Sequence, residues 1–381
     1  MMARLGDVCA KITDGSHNPP QGISCSEYLM LSSKNIYDDD ISFDDPRYLS
    51  KENYETENKR TQISAGDILL TIVGTVGRAA VVSKTEKKIC LQRSVAVIKP
   101  KQELIDSRFL MYQLQSMRTH LEQEARGVAQ KGIYLRQVEN LQIKVPSRGE
   151  QLQVVSNLDQ ISELISLRKQ QLAKLDELVK SRFIELFGDQ KANPFGWPQT
   201  TIGDCCTLKS GTSLPADKEN EGGRIPYVKV GDMNYPGNEQ YITTSSRFVT
   251  EQTAGAGIFP VGTVIFPKRG GAIGTNKKRL TTLPICADLN VMGVTAGNAL
   301  KSQYLMAYFN LVDLGALDNG SSVPQINNKD IAPLVICLPP LALQEQFAAF
   351  VEQTDKSKLA IQESLAELET LKKALMQKYF G

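Results

Sequence analysis

Histidine is almost absent from this sequence: His17 and His120 are the only two in 381 residues. The seven cysteines are an odd number and contain no Cys-x-x-Cys spacing, so a zinc site and a disulfide framework are both excluded. Reduced, mostly buried thiols fit better. Charge of one sign is also missing. Lys and Arg total 44 against 42 Asp and Glu, a net charge of +2, so no overall basic field marks a nucleic-acid partner and only local patches could serve one. The opening residues MMARLGDVCAKITDG hold no apolar signal-peptide core, and no run approaches the roughly 18 apolar residues of a membrane span. A cytoplasmic chain without a membrane partner is expected.

Catalytic patterns are missing too. Gly74 and Gly77, and Gly271 and Gly274, lack the Gly-Lys-Ser/Thr of a phosphate loop and read as turns between strands. Asn18-Pro19-Pro20 is followed by Gln21, not by the aromatic with which amino-methyltransferases stack on an extruded base, and no Gly-rich strand-turn-helix offers a methyl-donor site. No catalytic residue, metal ligand or cofactor site is expected in this chain.

What is present is a repeat. The stretch from Gln151 to Gly188 returns 193 residues on, from Gln344 to Gly381; each copy starts five residues after a proline, Pro146 or Pro339, and ends in Phe-Gly. In the first copy Val154, Leu158, Ile161, Ile165, Arg168, Leu172, Leu175, Val179, Arg182 and Leu186 alternate steps of four and three, which is a heptad seam. The second copy carries Phe347, Val351, Thr354, Lys358, Ile361, Leu365, Leu368, Lys372, Leu375 and Tyr379, a weaker stripe interrupted by Thr354 and two lysines. Neither copy contains an internal Pro or Gly, so a helix of about 57 Å is predicted for each. Two amphipathic helices packed separately on their own domains are the alternative to a coiled pair.

The repeat extends into the rest of the chain. Leu5-Gly6-Asp7 matches Ile202-Gly203-Asp204, Gly74-x-x-Gly77 matches Gly271-x-x-Gly274, Cys9 matches Cys206, and Cys90 matches Cys286. Strands are predicted at 67–73, 79–82, 93–98, 262–266 and 334–337, and helices at 107–125 and 301–311, a mixed α+β composition. The resulting plan is a globular domain at 1–150, a helix at 151–188, a turn-rich linker at 189–200, a second globular domain at 201–343 and a final helix at 344–381.

Polar and basic side chains gather in the loops of both copies. In the first they are Ser16, His17, Asn18, Lys34, Asn35, Arg78, Gln92, Arg93, Gln130, Lys131, Tyr134 and Arg136. In the second they are Lys209, Thr212, Lys229, Asn234, Lys268, Arg269, Asn276, Lys277, Lys278, Asn290, Ser322 and Gln325. Arg, Lys, Asn and Gln have the donor and acceptor geometry to grip base edges, and Lys, Ser and Thr suit phosphates. Solvated loop charge is the bland reading for any one of them.

The order and duplication of these features resemble the specificity subunit of type I restriction-modification enzymes. Its framework is matched by the Leu/Ile-Gly-Asp entry, by Ile-Lys-Val-Pro at 143–146 and Ile-Cys-Leu-Pro at 336–339 before each glutamine, and by the loop Thr13-Asp14-Gly15-Ser16-His17-Asn18-Pro19-Pro20. The second copy departs at that loop, with Lys209-Ser210-Gly211-Thr212-Ser213-Leu214-Pro215. The resemblance implies two target recognition domains separated by helices that pair as an antiparallel coiled coil. It also implies a bipartite double-stranded DNA target, two methyltransferase subunits docked on the helices, and restriction and motor subunits joining outside. S-adenosylmethionine, ATP and Mg would sit on those partners. A coiled-coil scaffold that binds no DNA and a methyltransferase fragment are the alternatives.

Overall fold

The computed structural model describes residues 1–85, 87–126, 131–317 and 323–381. It divides into two compact units, Met1–Gln170 with Gln362–Gly381, and Gln171–Ile361, and the division falls inside both long helices.

The first unit runs β1 (Met2–Arg4), β2 (Cys9–Asp14), β3 (Tyr28–Leu31), β4 (Arg47–Leu49), α1 (Lys51–Thr61), β5 (Ile68–Thr71), β6 (Ala79–Val81), β7 (Lys88–Leu91), β8 (Val95–Pro100), α2 (Ser107–Ser116), α3 (Arg118–Glu124), α4 (Leu135–Glu139), β9 (Gln142–Lys144) and the start of α5 (Arg148–Phe187). An antiparallel sheet in the order β2-β8-β5-β6 lies against a second one, β4-β3-β7, in which β3 and β7 run parallel. Ile68 and Leu70 of β5 share a core with Phe109, Leu110 and Tyr112 of α2 and with Val155 and Leu158 of α5. Leu69, pointing the other way, packs with Leu29, Leu31 and Ile89 of the second sheet. Burial on both faces is why 67–73 reads as a continuous apolar run and not as an alternation.

The second unit contains the rest of α5, then β10 (Gln199–Thr201), α6 (Ile202–Cys205), β11 (Cys206–Ser210), β12 (Ile225–Val228), β13 (Tyr241–Ile242), β14 (Phe248–Val249), α7 (Glu251–Ala254), β15 (Ile258–Phe259), β16 (Thr263–Pro267), β17 (Arg279–Thr281), β18 (Ile285–Ala287), β19 (Val291–Ala296), α8 (Ser302–Leu311), α9 (Asn328–Ile331), β20 (Val335–Cys337) and the start of α10 (Leu341–Phe380). Its sheets repeat those of the first unit. The β1–β9 pair becomes β10–β20, β2–β8 becomes β11–β19, and the parallel pair β3–β7 becomes β12–β18. The chain is α+β throughout.

Within each unit the two long helices pair antiparallel. In the first, Asn157 Nδ2 donates to Tyr379 Oη (2.8 Å) and Lys169 meets Glu369 (3.1 Å). In the second, Asp176 meets Lys358 (2.6 Å) and the rings of Phe183 and Phe347 lie 5.5 Å apart. Along the seam Leu158, Ile161 and Val351 are buried, while Ile165, Leu172, Leu175, Val179, Ile361, Leu365, Leu368 and Leu375 are half-buried. The breaks in the second stripe have local partners: Thr354 Oγ1 donates to Phe350 O (2.9 Å), and Lys372 donates to Asp39 (2.7 Å).

A glutamine fastens each helix to its unit. Gln151 is 1% exposed; its Oε1 accepts from Asp106 N (2.7 Å), and its Nε2 donates to Leu104 O (3.1 Å) and Pro146 O (3.0 Å). Gln344 is fully buried and repeats the pattern on Lys301 N (2.8 Å), Ala299 O (3.0 Å) and Pro339 O (2.8 Å). The five-residue interval from proline to glutamine is the reach of this amide back to the proline carbonyl.

Two sequence expectations need correction. The helix predicted over 107–125 breaks at Met117, whose φ of −86° and ψ of 4° leave the helical region. Ser116 Oγ donates to Gln113 O (2.6 Å) in competition with the helical ladder, and Arg118 turns away onto Asp38 (2.5 Å). The partner of Gly74 is Gly270, not Gly271. Both have positive φ, 82° and 71°, and both donate to a backbone carbonyl two residues before an isoleucine, Lys131 O or Pro324 O.

Replacing Gln151 by Leu should lower the unfolding free energy of the first unit by about 3 kcal/mol, because two carbonyls and one amide N–H lose their partners in the interior. An unchanged denaturant midpoint would show that Gln151 does not fasten the helix to its unit. The thiols offer a second check. Burial pushes Cys9, Cys90 and Cys206 up to about 12, so at pH 8 they stay protonated, whereas Cys25 is exposed. Ellman's reagent should therefore label Cys25 first and reach Cys9 and Cys90, which are also buried, only on unfolding. Rapid loss of the Cys90 thiol in the folded chain would contradict this.

Candidate nucleic-acid interface

In the first unit the turn between β7 and β8 gathers four loops by backbone hydrogen bonds. Ser16 N donates to Leu91 O (2.8 Å) and Arg93 N to Ser16 O (2.8 Å); Gln92 N reaches Leu31 O (2.9 Å) at the end of β3. Ser94 fastens that same loop and takes the next, accepting from Ser33 N at its Oγ (3.1 Å) and from Ile72 N at its carbonyl (2.9 Å). Ile133 N then bonds Ile72 O (2.9 Å) and Gly74 N bonds Lys131 O (3.1 Å), which adds the 131–133 segment. Apart from the Ser94 hydroxyl, these bonds are all main chain, which leaves the other side chains free to vary.

Gly15 permits the closest approach. A Cβ there would lie 2.1 Å from Leu91 O. The second unit repeats the arrangement: Gly211, whose Cβ would lie 2.1 Å from Asp288 O, leads into Thr212 N bonding Ala287 O (2.8 Å). Asp288 N meets Val228 O (2.9 Å), Lys268 N meets Asn290 O (2.8 Å), Ile326 N meets Lys268 O (3.0 Å), and Gly270 N meets Pro324 O (2.8 Å).

Side chains of the first cluster differ in availability. His17 and Asn18 are exposed, and His17 Nε2 donates to Asp14 (2.7 Å), a buried carboxylate that also receives Arg60 of α1. Arg93, Lys131, Tyr134 and Arg136 are exposed, Ser16 and Gln92 half-buried. Lys34 is exposed and paired with Asp45 (2.5 Å); Arg78 lies over the Tyr37 ring (5.1 Å). Asn35 is 2% exposed and engaged with Asp44 O (2.9 Å) and Ser32 N (3.1 Å), so it belongs to its own loop and not to the available set. Gln130 lies outside the described residues.

The second cluster has more of its cations engaged. Lys268 and Lys278 are buried, the first on Ser210 Oγ (2.9 Å) and the second on Asn276 Oδ1 (2.7 Å) and Val312 O (2.6 Å), and burial lowers both, Lys278 to about 8. Both leave the set of available contacts. Lys209 donates to Ile258 O (2.9 Å) and Lys229 to both oxygens of Glu219 (2.6 and 2.7 Å). Lys277 reaches Asn234, and Asn290 Nδ2 donates to Asp288 (2.6 Å). Thr212, Asn276 and Arg269 are exposed, and Gln325 donates to Asn327 Oδ1 (2.9 Å). Ser322 lies outside the described residues.

Sequence reading missed Arg126. It lines a cavity of about 570 Å³ with Tyr134, Arg136, Gln137 and Asn140. Only the pairing of Arg126 with Gly132 across the intervening residues brings it there, and no spacing rule announces that pairing.

Comparison with known proteins follows the same duplication. Residues 2–177 and 194–371 each match the family model described as the Type I restriction modification DNA specificity domain. The chain is 32% identical over 158 residues to the Type I restriction enzyme EcoBI specificity subunit of Escherichia coli, a match covering 40% of this chain and 33% of that protein. It is 23% identical over 340 residues to the MjaIX specificity subunit of Methanocaldococcus jannaschii, covering 82% of this chain and 76% of that one. Its fold is similar to the crystal structure of a type I restriction-modification S subunit from M. genitalium, with a TM-score of 0.58 at 15% identity over 100% of this chain and 96% of that one. A chain from a structure of type I complex assembly and conformational transition gives a TM-score of 0.56 at 19% identity, covering 100% and 97%.

Gly15→Ala and Gly211→Ala should each destabilise their own unit by roughly 3 kcal/mol, since the added methyl meets backbone and not a movable side chain. Gly149→Ala in α5, where nothing lies within 4 Å, is the control and should be neutral or slightly stabilising. Equal thermal melts for Gly15→Ala and Gly149→Ala would contradict the close approach.

Proposed function

The chain belongs to the type I restriction-modification DNA specificity family, and on that premise we propose that it is the sequence-reading subunit of a methyltransferase and restriction complex. The observation that carries this reading is the duplicated loop cluster. Equivalent backbone bonds hold Ser16 in one unit and Thr212 in the other, Gln92 and Asp288, Ile72 and Lys268. One scaffold bearing two different side-chain sets suits two unlike half-sites in one bipartite DNA target. Exposed loop residues such as Asn18, Arg93, Lys131, Thr212 and Arg269 are the proposed contacts to bases and phosphates.

The helix pair is the proposed docking surface for two methyltransferase subunits, with restriction and motor subunits joining them. Support comes from leucines that the seam leaves outside: Leu164, Leu167 and Leu371 in the first unit, Leu178 and Leu359 in the second, all 45 to 58% exposed. Methyl transfer from S-adenosylmethionine, and ATP- and Mg-dependent translocation and cleavage, are assigned to those partners and not to this chain. No helix among the described residues is long and apolar enough to cross a membrane, and the cytoplasm is the proposed place of work.

The test is reconstitution. Alone the protein should transfer no methyl group and cleave no DNA; mixed with its cognate methyltransferase subunits it should direct adenine methylation to one bipartite motif, which sequencing of the modified bases would identify. Methyl transfer by the isolated chain would overturn the reading. Absence of salt-sensitive DNA binding, with and without the partners, would favour a scaffold that assembles proteins only.

A further inference from the structure

We propose that the cavity lined by Arg126, Tyr134, Arg136, Gln137 and Asn140 is a clamp for a DNA backbone phosphate, and that it carries a large part of the salt-dependent affinity of the first unit. This inference rests on the sequence-reading function just stated. Five arginines of this unit form ion pairs with carboxylates: Arg4 with Asp7, Arg60 with Asp14, Arg108 with Asp159, Arg118 with Asp38 and Arg148 with Asp106. Arg126 and Arg136 have no side-chain partner among the described residues, although both are exposed and both line one concavity. Glu124, the nearby carboxylate, is engaged by Gln137 Nε2 (3.3 Å). Tyr134 is 70% exposed beside them.

The wall of the cavity is rigidly tied to the reading cluster. Arg126 and Gly132 exchange two backbone hydrogen bonds (2.8 and 2.9 Å), and Ile133 N continues onto Ile72 O. Tyr134 is fixed by its own N–H, which donates to Gln137 Oε1 (3.0 Å). Two exposed guanidiniums and a phenol gathered around one concavity suit a tetrahedral anion, since each guanidinium can present two parallel N–H donors to phosphate oxygens. The shape favours phosphate over a base edge. Base edges lie at the floor of a groove, whereas phosphates stand out from the duplex and take contacts from Arg, Tyr, Asn and Gln side chains, the types gathered here. About 570 Å³ also leaves room for the sugars on either side.

Among the described residues the second unit differs at the positions that match Tyr134 and Arg136. Asn327 occupies the position of Tyr134, with its N–H on Asp330 (2.7 Å) as Tyr134 has on Gln137, and Lys329 follows where Arg136 stands. One lysine beside an aspartate replaces an arginine beside a glutamine. The salt-dependent contribution should therefore be unequal between the halves.

The experiment uses the full chain reconstituted with its methyltransferase subunits and measures fluorescence anisotropy on the target duplex and on a scrambled duplex between 50 and 200 mM salt. The double variant R126A/R136A should bind both duplexes more weakly by about 10-fold or more, flatten the log K against log salt plot by about one unit or more, and leave the methylated motif unchanged. R126K/R136K, which keeps the charges, should retain the slope and guard against a folding defect. An unchanged slope for R126A/R136A, or a loss confined to the target duplex, would overturn the clamp while leaving the reading function intact. Failure of the wild-type complex to bind DNA at all would instead overturn the function on which the clamp rests.

Discussion

Each half of this protein depends on one buried amide. Gln151 and Gln344 stand at the point where a globular unit becomes a long helix, and each joins three main-chain groups. A hydrophobic contact there would hold the helix against the unit but would not fix its direction, since apolar burial is non-directional. An amide with one acceptor and two donors, all engaged and none exposed, permits a single orientation. The helix entry angle follows from it, and so does the placement of Val155 and Leu158 in the core of the first unit and of Phe347 and Val351 in that of the second.

The loop clusters obey a different rule. Their backbone is over-determined and their side chains are not. Gly15 and Gly211 let one strand end pass against a carbonyl at a distance that any Cβ would forbid, and the hydrogen bonds around them recur from unit to unit with unrelated side chains. Binding specificity can then change by substitution without a change of fold. The cost is visible in the second unit, where Lys268 stands where the first has Ile72. Its ammonium is buried on Ser210, so a residue type suited to DNA has become part of the scaffold.

These facts set what sequence could and could not disclose. The helix pair was legible because heptad spacing depends on residue type alone: every position of the second stripe from Phe347 to Tyr379 is buried or half-buried, the lysines included. The repeat was legible for the same reason, although an offset counted along the chain placed Gly74 opposite Gly271, and only the main-chain bond to Pro324 O identifies Gly270. Met117 was not legible. Its break depends on Arg118 finding Asp38, eighty residues away, and helix propensity carries no term for that. Nor could composition separate Arg93, exposed, from Asn35, Lys268 and Lys278, which are buried by contacts distant in sequence.

The two seam lysines show how an apparent fault in a heptad becomes information. A charge placed in an apolar seam is unfavourable unless it is paired. Lys358 finds Asp176 on the facing helix (2.6 Å), but Lys372 finds Asp39, which belongs to a loop of the globular unit. Asp39 is held in the left-handed region with φ of 64°, and its carboxylate also accepts from Gln115 Nε2 (3.0 Å) and Ser162 Oγ (3.2 Å), so that β-sheet loop, α2, α5 and α10 meet at one group. Moving α10 by one heptad would bring Leu365 or Tyr379 to that carboxylate and strand the lysine away from it. A uniformly apolar stripe would tolerate such a slip at little loss, because each heptad resembles the next. The weaker stripe therefore specifies register, and it does so by engaging the unit that the helix must end on.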